Sequence, residues 1–140
     1  MSVPFGPLPQ APFPDRSYSL IYLASPYSHR DAAVREQRYR DACRATVNLF
    51  RRGQNVFSPI VHGHPLVAHG LPTDWSFWEA FDREQIARCD AVFVLPLTGW
   101  KESSGVIAEI EIASELEKDV WFVDLSGTPM LAHEASEGRS

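Results

Sequence analysis

Residues 19–26 have the sequence SLIYLASP, which is the strongest strand signal of the chain. Its apolar residues follow one another without a break and end at Ser25 and Pro26. A short apolar run closed by a turn signal is typical of a strand that is buried on both faces, as in the centre of a parallel sheet. The stretch therefore predicts a central strand that ends at Ser25.

Strand and helix patterns alternate along the rest of the chain. Strands are also predicted at residues 54–58, 91–95 and 120–123, and helices at 31–52 with Gly53 as C-terminal cap, at 75–88 with Asp74 as N-cap, and from Gly105 to about Lys118. This alternation predicts a three-layer, flavodoxin- or Rossmann-like α/β fold, in which a parallel sheet of four to five strands has helices on both faces. Ligands of such folds bind at the carboxyl ends of the strands.

A length of 140 residues predicts one domain. We expect residues 1–17, which contain five prolines, to form an extended arm, 18–126 to form the domain and 127–140 to form a polar tail. Residues 60–73 are rich in His, Pro and Gly and have neither a helical nor a strand period. We therefore expect a functional loop there.

Composition excludes several classes of protein. The net charge is −5 and the basic residues are dispersed, so there is no basic stripe for a nucleic-acid polymer. Cys43 and Cys89 stand far apart, which predicts neither a disulfide framework nor a zinc knuckle. No signal-peptide pattern occurs, and no stretch approaches the roughly 20 apolar residues of a membrane span. We expect a cytoplasmic protein without a membrane partner.

Three histidines, His62, His64 and His69, lie in the predicted loop. In an extended chain His62 and His64 would point the same way, so a zinc site is one alternative. A third ligand at a tight spacing is missing, however, and we prefer imidazoles that contact a base or lie exposed. We expect no metal and no cofactor.

Glu109 has an unusual position on the predicted helix after Gly105. The buried stripe of this helix is predicted to consist of Val106, Ile107, Ile110 and Ala113. The residues three and four positions from Glu109 are mostly apolar, so its carboxylate would lie at the edge of apolar packing, one turn into a helix that follows a strand. Such a position fits a site residue. The alternative is an ordinary acid that interacts with the helix dipole.

Asp82 also lies among apolar positions, within a predicted stripe of Trp78, Phe81, Ile86 and Cys89. A carboxylate there needs a partner or a function. Asp90 follows at a helix-to-strand junction, where we expect it to satisfy backbone donors. The aromatic residues of this helix stack on a base or belong to the core: Trp75, Phe77 and Trp78.

Three motifs in this order resemble a known family. They are IYLAS at residues 21–25, Asp82 followed by Asp90, and SSGVIAE at residues 103–109. Together they resemble the nucleoside 2-deoxyribosyltransferase superfamily, over about residues 19–123. The chain is most similar to the uncharacterised, DUF1937-like branch, which has Ser-Pro-Tyr-Ser at a strand end, Ser-Pro-Ile-x-His-x-His, and Asp-Trp-x-Phe-Trp at a helix start.

The resemblance implies that Glu109 is a nucleophile, that Tyr22 orients it, and that Asp82 donates a proton to the base or binds it. At the position of Ser103, the related enzymes that accept a 5'-phosphate have a serine, and the transferases have an acid. The resemblance therefore implies a substrate with a 5'-phosphate. A hydroxyl and backbone amides at a helix start suit a phosphate better than an acid does. The expected substrate-binding residues are Ser25, Tyr27, Ser28, Arg30, His62, His64, Trp78, Ser103 and Gly105.

We expect the protein to cleave the base–sugar bond of a (deoxy)nucleoside 5'-monophosphate through a covalent glycosyl-Glu109 intermediate. One alternative is a nucleoside 2-deoxyribosyltransferase that exchanges bases, and others are a non-catalytic nucleotide-binding module and a plain α/β domain. The resemblance also implies a homodimer or larger homo-oligomer. Two departures are Glu109-Ile110-Glu111, where relatives often have Glu-Leu-Gly, and the His-rich segment.

Overall fold

A computed structural model describes residues 18–135, so the expected proline-rich arm lies outside the described residues. The elements along the chain are β1 (Ile21–Ala24), α1 (Ala32–Arg51), β2 (Val56–Phe57), α2 (Pro59–Ala68), α3 (Trp75–Arg88), β3 (Ala91–Val94), a 3₁₀ turn (Trp100–Glu102), α4 (Ser104–Glu115), β4 (Asp119–Val123), β5 (Pro129–Met130) and α5 (Ala132–Ala135). The strand order in the sheet is β2-β1-β3-β4-β5. The strands β2, β1, β3 and β4 run parallel, and β5 pairs antiparallel with β4.

The predicted α/β fold is confirmed. Strand β1 lies between β2 and β3, with Ile21 opposite both Val56 and Ala91. All four residues of β1 are fully buried, as expected for an apolar run with neighbours on both edges. The sheet therefore presents the carboxyl ends of β1 and β3 next to each other.

Alternate residues of each strand face opposite cores. Ile21 and Leu23 face a core that includes Ala45 and Leu49 of α1. Tyr22 and Ala24 face the other core, which contains Ile86 of α3 and the buried residues of α4. This alternation directs the Tyr22 side chain toward the helix that carries Glu109.

Asp90 has the structural position that its place in the sequence predicts. Its carboxylate accepts a hydrogen bond of 2.6 Å from the backbone N–H of Ser19. Its own N–H donates to the carbonyl of Leu20 at 2.8 Å. Asp90 thus ties the start of β3 to the segment that enters β1.

The prediction of a loop at residues 60–73 is wrong over most of this range, because residues Pro59–Ala68 form α2. The Ser58 side chain caps this helix by accepting from the N–H of Val61 at 3.1 Å, and Pro59 takes the first position, where a missing N–H costs nothing. A Cβ at Gly63 would lie 3.5 Å from the ring of Trp78. Packing on α3 therefore outweighs the poor helix propensity of this segment.

The expected polar tail is, over its described part, integrated into the fold. Strand β5 extends the sheet beside β4, and Met130 and Ala135 are buried. The indole N–H of Trp100 donates to the carbonyl of Ala135 at 2.9 Å. A strand of two residues has no detectable period, so the sequence pattern could not predict it.

We expect Met130→Ala to lower the free energy of unfolding by about 2–5 kcal/mol, because it removes a buried side chain from the core. Leu131→Ala is the matched control, since the Leu131 side chain is exposed, and it should change the free energy by less than about 0.5 kcal/mol. Urea unfolding of both variants measures the difference. Equal effects would contradict a core that includes β5.

Candidate active site

A cavity of about 160 Å³ lies at the carboxyl end of β1, between α2, α3 and the start of α4. Residues from separate parts of the chain line it: Ser25, Tyr27, Ser28, Pro59, Ile60, Gly63, His64, Val67, Thr73, Trp75, Trp78, Asp82, Glu102, Ser103, Ser104, Gly105 and Glu109. This is the edge of the sheet at which parallel α/β folds bind ligands.

Glu109 lies on the second turn of α4, and 4% of its surface is exposed. The fully buried Tyr22 hydroxyl donates a hydrogen bond to the Oε2 atom of Glu109. The residues are 87 positions apart, so only the packing of α4 on the sheet brings them together. The interaction fixes one carboxylate oxygen and leaves the other available to the cavity.

Asp82 is the second buried carboxylate of the cavity, with 5% of its surface exposed. Its Oδ1 atom is buried and has no hydrogen-bond partner among the described residues. Burial raises the pKa of Asp82 to about 7, and interaction with the Tyr22 hydroxyl opposes this rise. A buried polar atom without a partner, facing a cavity, fits a group that binds a ligand.

Burial also raises the pKa of Glu109 well above its usual range, and the nearby Asp82 raises it further. The hydrogen bond from Tyr22 acts in the opposite direction, since it stabilises the ionised carboxylate. Burial and the same two carboxylates raise the pKa of Tyr22, so its phenol keeps its hydrogen. Asp82 and Glu109 therefore titrate as a coupled pair, which holds one proton between its two ionisation steps.

The start of α4 forms one wall of the cavity. Ser103 is the N-cap, and its Oγ atom accepts from the N–H of Val106 at 3.2 Å. The N–H groups of Ser104 and Gly105 lie in the first turn, where a helix provides no internal partners for them. Both residues line the cavity, so this wall offers hydrogen-bond donors to a ligand.

Most of the predicted substrate-binding residues line this cavity: Ser25, Tyr27, Ser28, His64, Trp78, Ser103 and Gly105. Arg30 is exposed and does not line the cavity, and neither does His62, which stacks on Phe81 at 5.5 Å. On a helix, two positions differ by roughly 200° in direction, so His62 and His64 diverge. They would point the same way only in an extended chain, and this segment is helical.

The helical patterns misplaced some apolar residues. Ile107 and Phe81, which were predicted to be buried, are 37% and 38% exposed. Ile112 is buried instead. The two carboxylates themselves are buried as their apolar neighbours indicate.

Several residues that line the cavity are not among the predicted site residues, namely Trp75, Ser104, Glu102, Thr73, Pro59, Ile60, Gly63 and Val67. The sequence does point to Trp75, which is one of three aromatic residues that could stack on a base. No sequence pattern points to Glu102, since its position depends on the 3₁₀ turn before α4. Within residues 18–135, no three His, Cys, Asp or Glu side chains are placed to hold a metal ion. No helix of this range is both long and apolar enough to cross a membrane.

Comparison with solved structures supports this fold. The chain is similar to a 2-deoxyribosyltransferase from the psychrotolerant bacterium Bacillus psychrosaccharolyticus, with 24% sequence identity and a TM-score of 0.55. The match covers 86% of this chain and 82% of the other. No curated protein matches the sequence.

A family model described as a domain of unknown function, DUF1937, matches residues 19–124. This range includes every residue that lines the cavity. The match confirms the resemblance that the sequence motifs indicate, and the chain belongs to the DUF1937 family.

Proposed function

We propose that this protein is an enzyme that cleaves the base–sugar bond of a nucleoside or nucleoside 5'-monophosphate, with Glu109 as nucleophile. The observation that supports this most is the buried Glu109 carboxylate, held by Tyr22 at the wall of a cavity. The similar solved structure is described as a biocatalyst for the synthesis of nucleosides. Its activity makes base–sugar chemistry the best candidate for the same fold here.

In the proposed reaction, the free oxygen of Glu109 attacks the anomeric carbon of the sugar. The bond to the base breaks, its electron pair goes to the base nitrogen, and an oxocarbenium-like transition state gives a glycosyl ester on Glu109. Asp82 in its protonated form donates a proton to the departing base. Water then hydrolyses the ester, or a second base takes up the sugar.

The coupled carboxylates suit this reaction. The reactive form has Glu109 ionised and Asp82 protonated, which is one of the two ways for the pair to hold a single proton. Burial and the Asp82 charge raise the pKa of Glu109, and the hydrogen bond from Tyr22 opposes them by stabilising its ionised form. The Asp82 pKa of about 7 keeps a proton available near neutral pH.

The start of α4 supports binding of a 5'-phosphate. The Ser103 hydroxyl has its hydrogen free, because its oxygen accepts from Val106, and the first amides of a helix attract anions. Against a phosphate, the cavity lining includes Glu102 and, within residues 18–135, no lysine or arginine. This lack of cationic side chains favours a second candidate, an unphosphorylated nucleoside as substrate, whether the sugar goes to water or to a second base.

The homo-oligomer and the cytoplasmic location stay predictions. Phe77 is 49% and Phe81 is 38% exposed on α3, beside the Trp78 of the cavity wall. Exposed aromatic side chains next to a site support an interface between copies. Analytical ultracentrifugation of the full chain tests this proposal.

We expect Glu109→Gln to reduce kcat/KM for base release by at least about 10³-fold, because the amide cannot form the ester. Glu111→Gln is the matched control, since Glu111 lies on the exposed side of the same helix and should retain activity within about 2-fold. Release of free base from ribo- and deoxynucleosides and their monophosphates measures both variants. A ligand that binds both variants equally, without turnover by the unmodified protein, would instead indicate a binding module.

We expect kcat/KM to depend on pH as a bell. It rises with pH as the Glu109–Asp82 pair loses its first proton, and it falls as the pair loses its second, because only the form that holds one proton, on Asp82, reacts. Asp82→Asn should reduce activity by about 10²–10⁴-fold and remove the alkaline limb. The acid limb should remain, because Glu109 still has to ionise in the variant. Profiles that coincide in shape would contradict this role of Asp82.

Thermal unfolding of Asp82→Asn provides a test that does not depend on turnover. The folded-state pKa of Asp82 is raised from 3.8 to about 7, so the stability present at acid pH is lost as pH rises through this window. The variant lacks this loss. Its gain in Tm over the unmodified protein should therefore grow from about pH 4 to about pH 8. The corresponding gain in the free energy of unfolding has an upper bound of about 4 kcal/mol.

Ser103→Asp distinguishes the two substrate classes. Aspartate also caps helices, so α4 should stay intact, but its charge repels a phosphate. If monophosphates are the substrates, kcat/KM for them should fall at least about 10-fold, while activity on nucleosides should not fall. Unchanged activity on monophosphates would show that the phosphate does not bind at this helix start.

A further inference from the structure

His64 of α2 is held by hydrogen bonds at both ring nitrogens. Its Nδ1 atom lies 2.7 Å from the hydroxyl of Tyr27, and its Nε2 atom lies 2.9 Å from the Oε1 atom of Glu36. Tyr27 and His64 both line the cavity, whereas Glu36 lies behind them on α1. The three residues therefore form a chain of hydrogen bonds, Glu36–His64–Tyr27, that runs from the surface of α1 to the cavity.

Aromatic contacts fix the plane of the imidazole ring. The ring of Tyr39 stacks on His64, with centroids 4.3 Å apart and an interplanar angle of 25°. The Tyr27 ring meets the imidazole edge-on at 5.6 Å. With its plane fixed, the ring keeps Nδ1 toward Tyr27 and Nε2 toward Glu36.

The charge of Glu36 determines where the protons lie. Hydrogen bonds from His64 and then from Arg40 lower the pKa of Glu36, so its carboxylate is ionised and can only accept. The Nε2 atom of His64 must therefore carry a hydrogen. In the neutral imidazole, Nδ1 then has a lone pair and accepts a hydrogen bond from the Tyr27 hydroxyl.

The single hydroxyl hydrogen of Tyr27 is thus committed to His64. The phenol oxygen then offers only lone pairs to the cavity. Burial raises the pKa of Tyr27 by more than the charge and hydrogen bond of the nearby Arg35 guanidinium lower it, so the phenol stays neutral. A ligand group can contact this oxygen favourably only by donating a hydrogen.

We propose that Tyr27 is a specificity-determining residue that accepts a hydrogen bond from the substrate, and that Glu36 and His64 are positioning residues that hold it in the accepting orientation. The inference rests on the proposed function for the nature of the substrate, a nucleoside or its monophosphate. The donor that Tyr27 selects is a sugar hydroxyl or an exocyclic amino group of the base. A carbonyl or ring nitrogen acceptor at the same point is rejected, because two acceptors would then face each other.

The tautomer of His64 tests the positioning step without any substrate. Long-range ¹H–¹⁵N spectra of the ligand-free protein, recorded at alkaline pH where a free imidazole is neutral, distinguish the two tautomers, and His64→Gln identifies the signal. We expect a hydrogen on Nε2 and a lone pair on Nδ1. A hydrogen on Nδ1 would overturn the proposal.

Glu36→Gln changes the proton arrangement with little change in shape, since an amide can also donate to Nε2. We expect a mixture of tautomers in this variant. The matched control is Glu84→Gln, which removes the carboxylate of an equivalent pair, Glu84–Arg88, on an exposed helix face. The control should leave the His64 tautomer unchanged, and a change of equal size in both variants would overturn the role of Glu36.

Substrate selectivity tests the role of Tyr27. Substrates are compared in two pairs, one that differs in a sugar hydroxyl and one that differs in an exocyclic amino group. One of these two groups is the donor that Tyr27 contacts. For the pair that differs in this donor, Tyr27→Phe should reduce kcat/KM roughly 3- to 10-fold on the substrate that has it and less than about 2-fold on the substrate that lacks it, mainly through KM. Glu36→Gln should weaken the same preference, and Glu84→Gln should not.

Equal losses on both members of both pairs would overturn the selection by Tyr27. If the unmodified protein releases no base from any nucleoside, the proposed function fails, and the His64 tautomer alone then decides whether the positioning chain exists. Thermal unfolding of Tyr27→Phe confirms that the variant is folded before its kinetics are compared.

Discussion

The site depends on one buried hydrogen bond, from the Tyr22 hydroxyl to the Glu109 carboxylate. Tyr22 comes from the central strand, whose alternation sends it to the face covered by α3 and α4, and Glu109 comes from the helix packed there. The same packing places Asp82 of α3 near both groups. The Asp82 charge therefore raises the pKa of Tyr22 and of Glu109. Sheet geometry thus assembles a site from residues far apart in the sequence.

Burial gives this site its chemistry and costs the fold stability. Two carboxylates that are each about 5% exposed cannot both ionise cheaply, so the pair retains a proton into the neutral range. A protein under pressure only for stability would replace Asp82 with an apolar residue that fits the surrounding core. The presence of two buried acids at one cavity, one of them with an unpartnered oxygen, is therefore best explained by function.

The sequence predicted the parts of the fold that depend on local patterns. The apolar run of β1 and the alternation of strands and helices gave the sheet, and the apolar neighbours of Glu109 and Asp82 indicated their burial. Tertiary packing decided the rest. Helix α2 forms despite Gly63 and Pro65 because Ser58 caps it and Trp78 covers it, and this helix separates the directions of His62 and His64. Short strand β5 and the wall residue Glu102 depend on contacts that no periodicity encodes.

In the proposed mechanism, Glu109 forms a covalent bond to the sugar. Its most direct test is intact-protein and peptide mass spectrometry after incubation with a 2-deoxy-2-fluoronucleoside, in which the electronegative fluorine destabilises the oxocarbenium-like transition state and slows release of the ester. We expect an added glycosyl mass on the peptide that contains Glu109, and no such mass in Glu109→Gln. Release of base with no adduct in rapidly quenched samples, or an adduct on another residue, would contradict it.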